Sequence, residues 1–352
     1  MDRAKLEKIL DMLPYVRVAV VGDFFLDRYF VIESELAEIS VETGLTAHQV
    51  VDKRLSPGAA GNVVANLRAL GVGDVVCVGV IGADGEGFEL KKCLHSMGAN
   101  YAGWLIERSD RFTPCYSKPM LRENGKETEL NRIDIKNRSP LPTEAEDELL
   151  ERLGALVVDV DAVIIADQVQ ERNFGVVTDR VRASISDLAE RHSDKVFLVD
   201  SRLRVGEYRN VMTKPNKFEV VHAITDNARA DASADLEVSL DEAKACARKL
   251  YERTSSPVFL TAQEEGIFVF DNDVTHVPAA AVSGEIDPVG AGDSCAAGIV
   301  SALCGGADLA EAALVGNIAA SVTIKKIGRT GTASPKEVLE RFDENSKEGR
   351  AE

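Results

Sequence analysis

The sequence predicts an α/β protein whose mostly parallel central sheet is covered by helices and overhung by a small β-sheet lid. Three observations carry this reading. Short, nearly continuous β-branched runs such as Val16-Arg-Val-Ala-Val-Val-Gly-Asp23 have the character of parallel strands buried on both faces. Strand-like and helix-like segments alternate along most of the chain, as βα units do. Two separated stretches break that rhythm with polar, alternating character and no helical pattern.

Taken in order, the first strand ends at Gly22-Asp23, and open α/β sheets gather their ligands at the carboxyl ends of strands. Asp23 and Asp27 are therefore candidate substrate contacts, with turn and cap residues as the plainer alternative. The first excursion runs from about 28 to 54, with strand character over 29–33 and 46–52. Ser56-Pro-Gly-Ala-Ala-Gly-Asn62 predicts a tight turn into a helix over 63–70, stopped by Gly71. Gly58 and its small neighbours let a ligand lie near the backbone, and Asn62 can hydrogen-bond hydroxyls; the alternative is close helix-to-sheet packing alone. A buried strand over 75–80 precedes a helix ending near Met97.

The second excursion, at about 111–134 with Gly125 at a turn, completes with the first a composite flap over the sheet edge. The βα alternation then resumes. Helices are predicted over 143–156, 174–191 and 240–251, and strands over 162–166, 196–199 and 258–261, the first two ending at Asp167 and Asp200. A polar stretch rich in Ala and Asp follows Glu219, and a hairpin is expected over 266–270 and 274–277. A charged tail, frayed from Asp343, ends the chain.

The most informative stretch is Glu285-Ile-Asp-Pro-Val-Gly-Ala-Gly-Asp293, which runs into a small-residue helix ending at Cys304. Gly290, Ala291 and Gly292 leave little side-chain bulk where a helix begins, so their N–H groups and the positive end of the helix dipole form an anion hole. Asp293, on the first turn, places a carboxylate beside those donors. Such a pair can take a proton from an attacking hydroxyl and hold the charge of a transferring phosphoryl group. An ordinary Gly-rich loop with an Asp near a helix start is the other reading of these residues.

Composition narrows the partners. A formal charge of -17 over 352 residues argues against nucleic acid or an anionic membrane. No apolar run approaches membrane-spanning length and the N-terminus does not read as a signal peptide, so a cytoplasmic location is expected. The six cysteines form no CxxC pair and the five histidines show no paired spacing on a helix, so reduced thiols and no zinc site are expected. Neither a Walker-A GxxxxGK motif nor a GxGxxG fingerprint is present.

From about Val16 to Arg341 the chain resembles the ribokinase-like, PfkB-type carbohydrate kinases. The resemblance rests on four motifs in order: Gly22-Asp23, Pro57-Gly-Ala-Ala-Gly-Asn62, Asn216-Lys-Phe-Glu219, and Asp287-Pro-Val-Gly-Ala-Gly-Asp293. Gly22-Asp-Phe-Phe-Leu-Asp-Arg28, Ile39-Ser-Val-Glu42 and Leu130-Asn-Arg-Ile-Asp134 look most like the kinase domain for D-glycero-D-manno-heptose 7-phosphate.

The resemblance implies a three-layer α/β/α kinase domain over 1–345, a short charged tail over 346–352, a homodimer through the lid, and phosphorylation of a sugar or sugar-phosphate hydroxyl by ATP with Mg2+. It makes Asp293 the base and gives Asp23, Asp27, Gly58 and Asn62 to the substrate. Asn216, Gln263, Gly266 and Asn317 match the nucleotide site, Glu219 the residue that organises Mg2+ through water, and Asp287 the monovalent cation, such as K+, that relatives often hold.

Three departures bear on the substrate. Pro288 replaces a common Thr, Gln168-Val-Gln-Glu-Arg172 stands where an aromatic and a Lys are usual, and Asp200-Ser-Arg202 stands for Asp-Pro-Lys. Arg202 or Arg204 then becomes the expected phosphate ligand. A kinase for another small sugar, polyol or nucleoside is the alternative within the class, and a catalytically silent sensor is the alternative outside it.

Overall fold

The computed structural model of the protein describes residues 1–123, 125–225, 238–328 and 330–348. Nine strands form the central sheet, in the spatial order Val274–Val277, Ile267–Phe270, Val258–Thr261, Met212–Thr213, Val196–Ser201, Ala162–Asp167, Arg17–Gly22, Asp74–Gly82 and Leu105–Arg108. Only the pairings made by Ile267–Phe270 are antiparallel. Strand alternation explains the layers. Val18 and Val20 pack into one cluster with the helices Ala60–Leu70, Ala291–Cys304 and Leu309–Thr323. Ala19 and Val21 face the opposite cluster, built with Thr143–Leu156, Asp179–Arg191 and Leu240–Thr254. The result is the α/β/α sandwich that the alternating segments predict.

Arg17–Gly22 pairs with Ala162–Asp167 on one side and Asp74–Gly82 on the other, so the strand order reverses at its carboxyl end. A crevice opens at such a reversal, and the chain leaves it directly for the lid. Gly22 has φ 143°, and a Cβ there would stand 2.2 Å from the Ala166 carbonyl oxygen, so only glycine permits this crossing.

The lid sheet has five strands: Ile133–Ile135, Cys115–Glu123, Phe24–Glu33 and Val50–Ala59 in order, with Lys126–Glu129 paired to Cys115–Glu123. Arg28 fastens it to the helix Gly85–Ser96 through Glu86 at 2.9 Å and Glu89 at 2.8 Å. Both excursions thus meet in one sheet.

Several local expectations are corrected. The tight turn expected at 56–62 is confined to Ala59: residues 56–58 continue the strand, and the helix begins at Ala60, three residues before the expected 63. The ladder with Phe24–Glu33 holds residues 56–58 in register, Pro57 being tolerated on an edge strand, and the turn is made at Ala59, whose φ is 51°. The helix expected from 174 begins at Asp179, because the N–H of Val176 is donated to Asp23 and Thr178 supplies the cap. The tail expected to separate at 346 continues a helix, Pro335–Glu348, capped by a reciprocal Ser334–Glu337 pair and anchored by buried Val338 and Phe342. A short helix not read from the sequence, Lys217–Thr225, follows Asn216, and the polar stretch over 226–237 lies outside the described residues.

Candidate active site

Gly290 caps the helix Ala291–Cys304 in the left-handed region at φ 81°, where a Cβ would also meet Thr330 at 2.6 Å. The first intrahelical bond runs from the Ser294 N–H to the Gly290 oxygen. Ala291 contributes less to an anion hole than the sequence suggests, since its N–H is donated to the Pro288 carbonyl at 3.1 Å. Among the described residues the N–H groups of Gly292 and Asp293 keep no such partner, so the positive end of the helix is open there.

Asp293 sits half-buried in this mouth. Desolvation, reinforced by the neighbouring Asp200 carboxylate, pushes its carboxyl up to about 7, against the pull of Lys214, the Asn62 side chain and Arg202. A carboxylate poised near neutrality is suited to accept a proton. Lys214 is 3 % exposed and pairs with Asp200 at 3.0 Å. Glu219 completes the cluster: burial and Asp200 push it up to about 7, while Lys214 opposes.

The Asn-x-x-Glu motif has a local structural role. The Asn216 side-chain oxygen accepts the N–H groups of Phe218 and Glu219, and the Glu219 Oε2 accepts the Asn216 N–H at 2.8 Å. This capping box starts the helix Lys217–Thr225 and aims the other carboxylate oxygen, Oε1, without a hydrogen-bond partner among the described residues.

The remaining predicted residues fall into separate groups. Asp27 pairs with Lys118 at 3.1 Å, and a Cβ on Gly58 would stand 2.7 Å from Asp27 Oδ2, so Asp27 and Gly58 face each other across the lid ladder. Asp23 accepts three backbone N–H groups, from Gln168 at 2.8 Å, Val169 at 2.9 Å and Val176 at 2.7 Å. Its carboxylate is therefore committed to holding the 168–176 loop. Asn317 donates to the carbonyls of Val277 and Pro278, both at 3.0 Å, and Gly266 packs against the same 277–279 segment. Gln263 lies exposed in the short turn before it. Asp287 closes its own loop, accepting the N–H groups of Val289 and Gly328 at 3.1 Å each.

A cavity of about 190 Å3 opens between Asp23, the lid and the 168–176 loop. Phe25 and Tyr116 form its lid wall, in edge-on contact at 5.4 Å. Arg132, Lys136 and Arg202 bring positive charge to it. Arg204 does not: it is buried, and its guanidinium is donated to the carbonyls of Val169 and Gln170. Arg202 links cavity and base, since its charge is felt by both Tyr116 and Asp293. Sequence reasoning missed Lys214, Lys118, Lys136 and Tyr116; the one signal for Lys214 was its place at a strand end, two residues before the Asn-x-x-Glu motif.

Comparison with known proteins bears on this arrangement. The family model described as pfkB family carbohydrate kinase matches residues 17–337. The bifunctional protein HldE of Trichlorobacter lovleyi is 30% identical over 370 residues, covering 99% of this chain and 68% of its own length. That of Wolinella succinogenes is 32% identical over 326 residues, covering 92% and 64%. The chain thus spans about two thirds of the length of these relatives. Among solved structures, phosphofructokinase-2 from Escherichia coli aligns with a TM-score of 0.68 at 17% identity, covering 94% of this chain and 99% of that one. Arabidopsis thaliana ribokinase complexed with ribose and ATP aligns at 0.66 and 14%, covering 93% and 98%. The sandwich, the lid and a carboxylate at the open start of a helix therefore sit on a ribokinase-like fold, and the chain belongs to the pfkB family of carbohydrate kinases.

Proposed function

We propose that this sugar kinase acts on an acceptor that is already phosphorylated, of the heptose 7-phosphate type, and that the acceptor lies in the cavity between lid and sheet. The observation that carries this reading is that Arg202 and Lys136 face the cavity and enter no ion pair among the described residues. In a chain of net charge -17, unpaired cations around one crevice mark a site for an anion. Arg132, stacked over Tyr116 at 4.4 Å and paired with Asp134, supplies a third cation from the lid. The HldE relatives support a heptose phosphate.

In this mechanism Asp293 removes the proton of the acceptor hydroxyl. The hydroxyl oxygen forms a bond to the terminal phosphorus of ATP as the bond to the bridging oxygen breaks, and ADP leaves with that electron pair. The Gly292 and Asp293 N–H groups, with the Gly290 turn, hold the charge on the moving group. Glu219 fits a role in holding Mg2+ through water: its Oε1 has no hydrogen-bond partner among the described residues, and burial, with the Asp200 charge, raises its proton affinity.

Two further assignments belong to this reading. Asp287, bridging its loop to Gly328, is the residue about which a K+ effect would be sought. The exposed Ile39, Val41, Leu45 and Val50 on the lid side favour a homodimer through that surface.

The test is ADP release with Mg·ATP against heptose 7-phosphate, fructose 6-phosphate, ribose, fructose and adenosine, with and without K+. Preference for the phosphorylated acceptors supports the reading, and turnover restricted to unphosphorylated ones overturns it. Sugar and ATP binding without any ADP would point to a silent sensor.

A further inference from the structure

Lys214 is a buried cation at the site whose donors are largely unspent among the described residues. It follows the short strand Met212–Thr213, and its backbone N–H is fixed to the Val199 carbonyl at 3.0 Å. An ammonium carries three donors. One reaches Asp200 Oδ2 at 3.0 Å, and no other acceptor among the described residues takes the remaining two. The group stands against the start of the helix Ala291–Cys304: a Cβ on Gly292 would lie 3.5 Å from Nζ, in ordinary contact, and 3.9 Å from Asp200 Oδ2. Its charge is felt by Asp293, Glu219 and Cys295.

This is an uncomfortable place for a cation. The beginning of a helix is its positive end, so a lysine there opposes the dipole. Asp200 offsets the charge of Lys214, but an anion bridging the ammonium and the free N–H groups of Gly292 and Asp293 would satisfy both positive features together.

We infer that Lys214 is a further catalytic residue, whose ammonium hydrogen-bonds the terminal phosphoryl group of the nucleotide and stays with it during transfer. Lys214 keeps its proton throughout; the only proton moved is the one Asp293 takes from the acceptor. The inference rests on the assignment of the 290–293 turn as the anion hole, and it is independent of which sugar is used.

Calorimetric titration of Mg·ADP and of the Mg complex of β,γ-imido-ATP separates the possibilities. The comparison needs wild type, Lys214→Met and the double variant Asp200→Asn/Lys214→Met, which leaves no stranded carboxylate. Wild type should favour the imido analogue. Lys214→Met should weaken it about tenfold or more while ADP stays within about twofold, and kcat should fall by roughly 10^2. The double variant should keep that loss, and it carries the comparison if Lys214→Met does not fold. Equal weakening of both nucleotides, or restored discrimination in the double variant, would reduce Lys214 to a counter-ion of Asp200. Wild-type protein without preference for the imido analogue would instead remove the anion-hole assignment itself.

Discussion

Two groups of buried charge lie at the carboxyl end of the central sheet, and they differ in how fully they are satisfied. Around the 168–176 loop most of the buried charge is spent on the protein, Arg182 Nε being unpartnered among the described residues. Asp23 takes three N–H groups, Arg111 donates to the carbonyls of Ser139, Pro140 and Phe174, and Arg204 donates to those of Val169 and Gln170. Asp167 accepts from Ser201, Tyr208 and Arg182. Around Gly292 the reverse holds. Among the described residues Lys214 keeps two donors, Glu219 keeps an oxygen, and the buried hydroxyls of Thr213 and Ser294, the sequence neighbours of Lys214 and Asp293, have no partner. Buried polar groups left unpaired are costly, so the first group reads as a brace and the second as a site completed by its ligand.

The sharpest test of that contrast is Asp293→Asn, which keeps the shape and removes the proton acceptor. Turnover should fall by about 10^2 to 10^4, with nucleotide affinity in a calorimeter within about twofold. The same assignment sets a pH profile: burial and Asp200 hold Asp293 up to about 7, and only its ionised form takes a proton, so kcat/KM should rise with pH through that region. A flat profile between about pH 5.5 and 8 would remove Asp293 as the base.

Asp23→Asn probes the brace. Asn offers one acceptor oxygen where Asp23 uses two, so the unfolding free energy in urea should drop by about 2–4 kcal/mol, with kcat of the folded variant changed less than about tenfold. A collapse of kcat at unchanged stability would put Asp23 against the acceptor instead. Arg202→Ala should raise KM for a phosphorylated acceptor about 10- to 100-fold and leave KM for ATP alone, whereas Arg204→Ala should lower the melting temperature without that selectivity.

The smallest effect runs opposite to the first. The raised carboxyl of Asp293 costs stability that is absent near pH 4 and below, where folded and unfolded states both hold the proton, builds up as pH rises toward about 7, and is constant above that. Asp293→Asn should therefore melt roughly 2–4 °C higher than wild type at pH 8, a gap that narrows as pH falls toward about 4. An equal melting temperature at pH 8 would show that solvent screens this carboxylate.

Much of this was legible because it is local. The β-branched runs, the helix over 143–156 and the strand over 258–261 coincide with Thr143–Leu156 and Val258–Thr261, since period and turn residues are properties of short windows. The 290–293 turn was equally visible, because glycines directly before a small-residue helical run mark a helix start within a short window. The extent of the turn at 56–62 and the start of the helix placed at 174 were misjudged for the opposite reason: each boundary is set by a distant partner, the Phe24–Glu33 strand in one case and the Asp23 carboxylate in the other.

What the sequence determined by itself was therefore the α/β class, the lid and the glycine turn that opens the helix Ala291–Cys304. Tertiary structure alone decided which charges are committed. Nothing in the local sequence distinguishes Arg202, which faces the cavity, from Arg204, which props the loop, or marks Lys214 as the buried neighbour of Gly292. Those distinctions depend on hydrogen-bond partners brought together from separate strands, and burial makes each such pairing decisive.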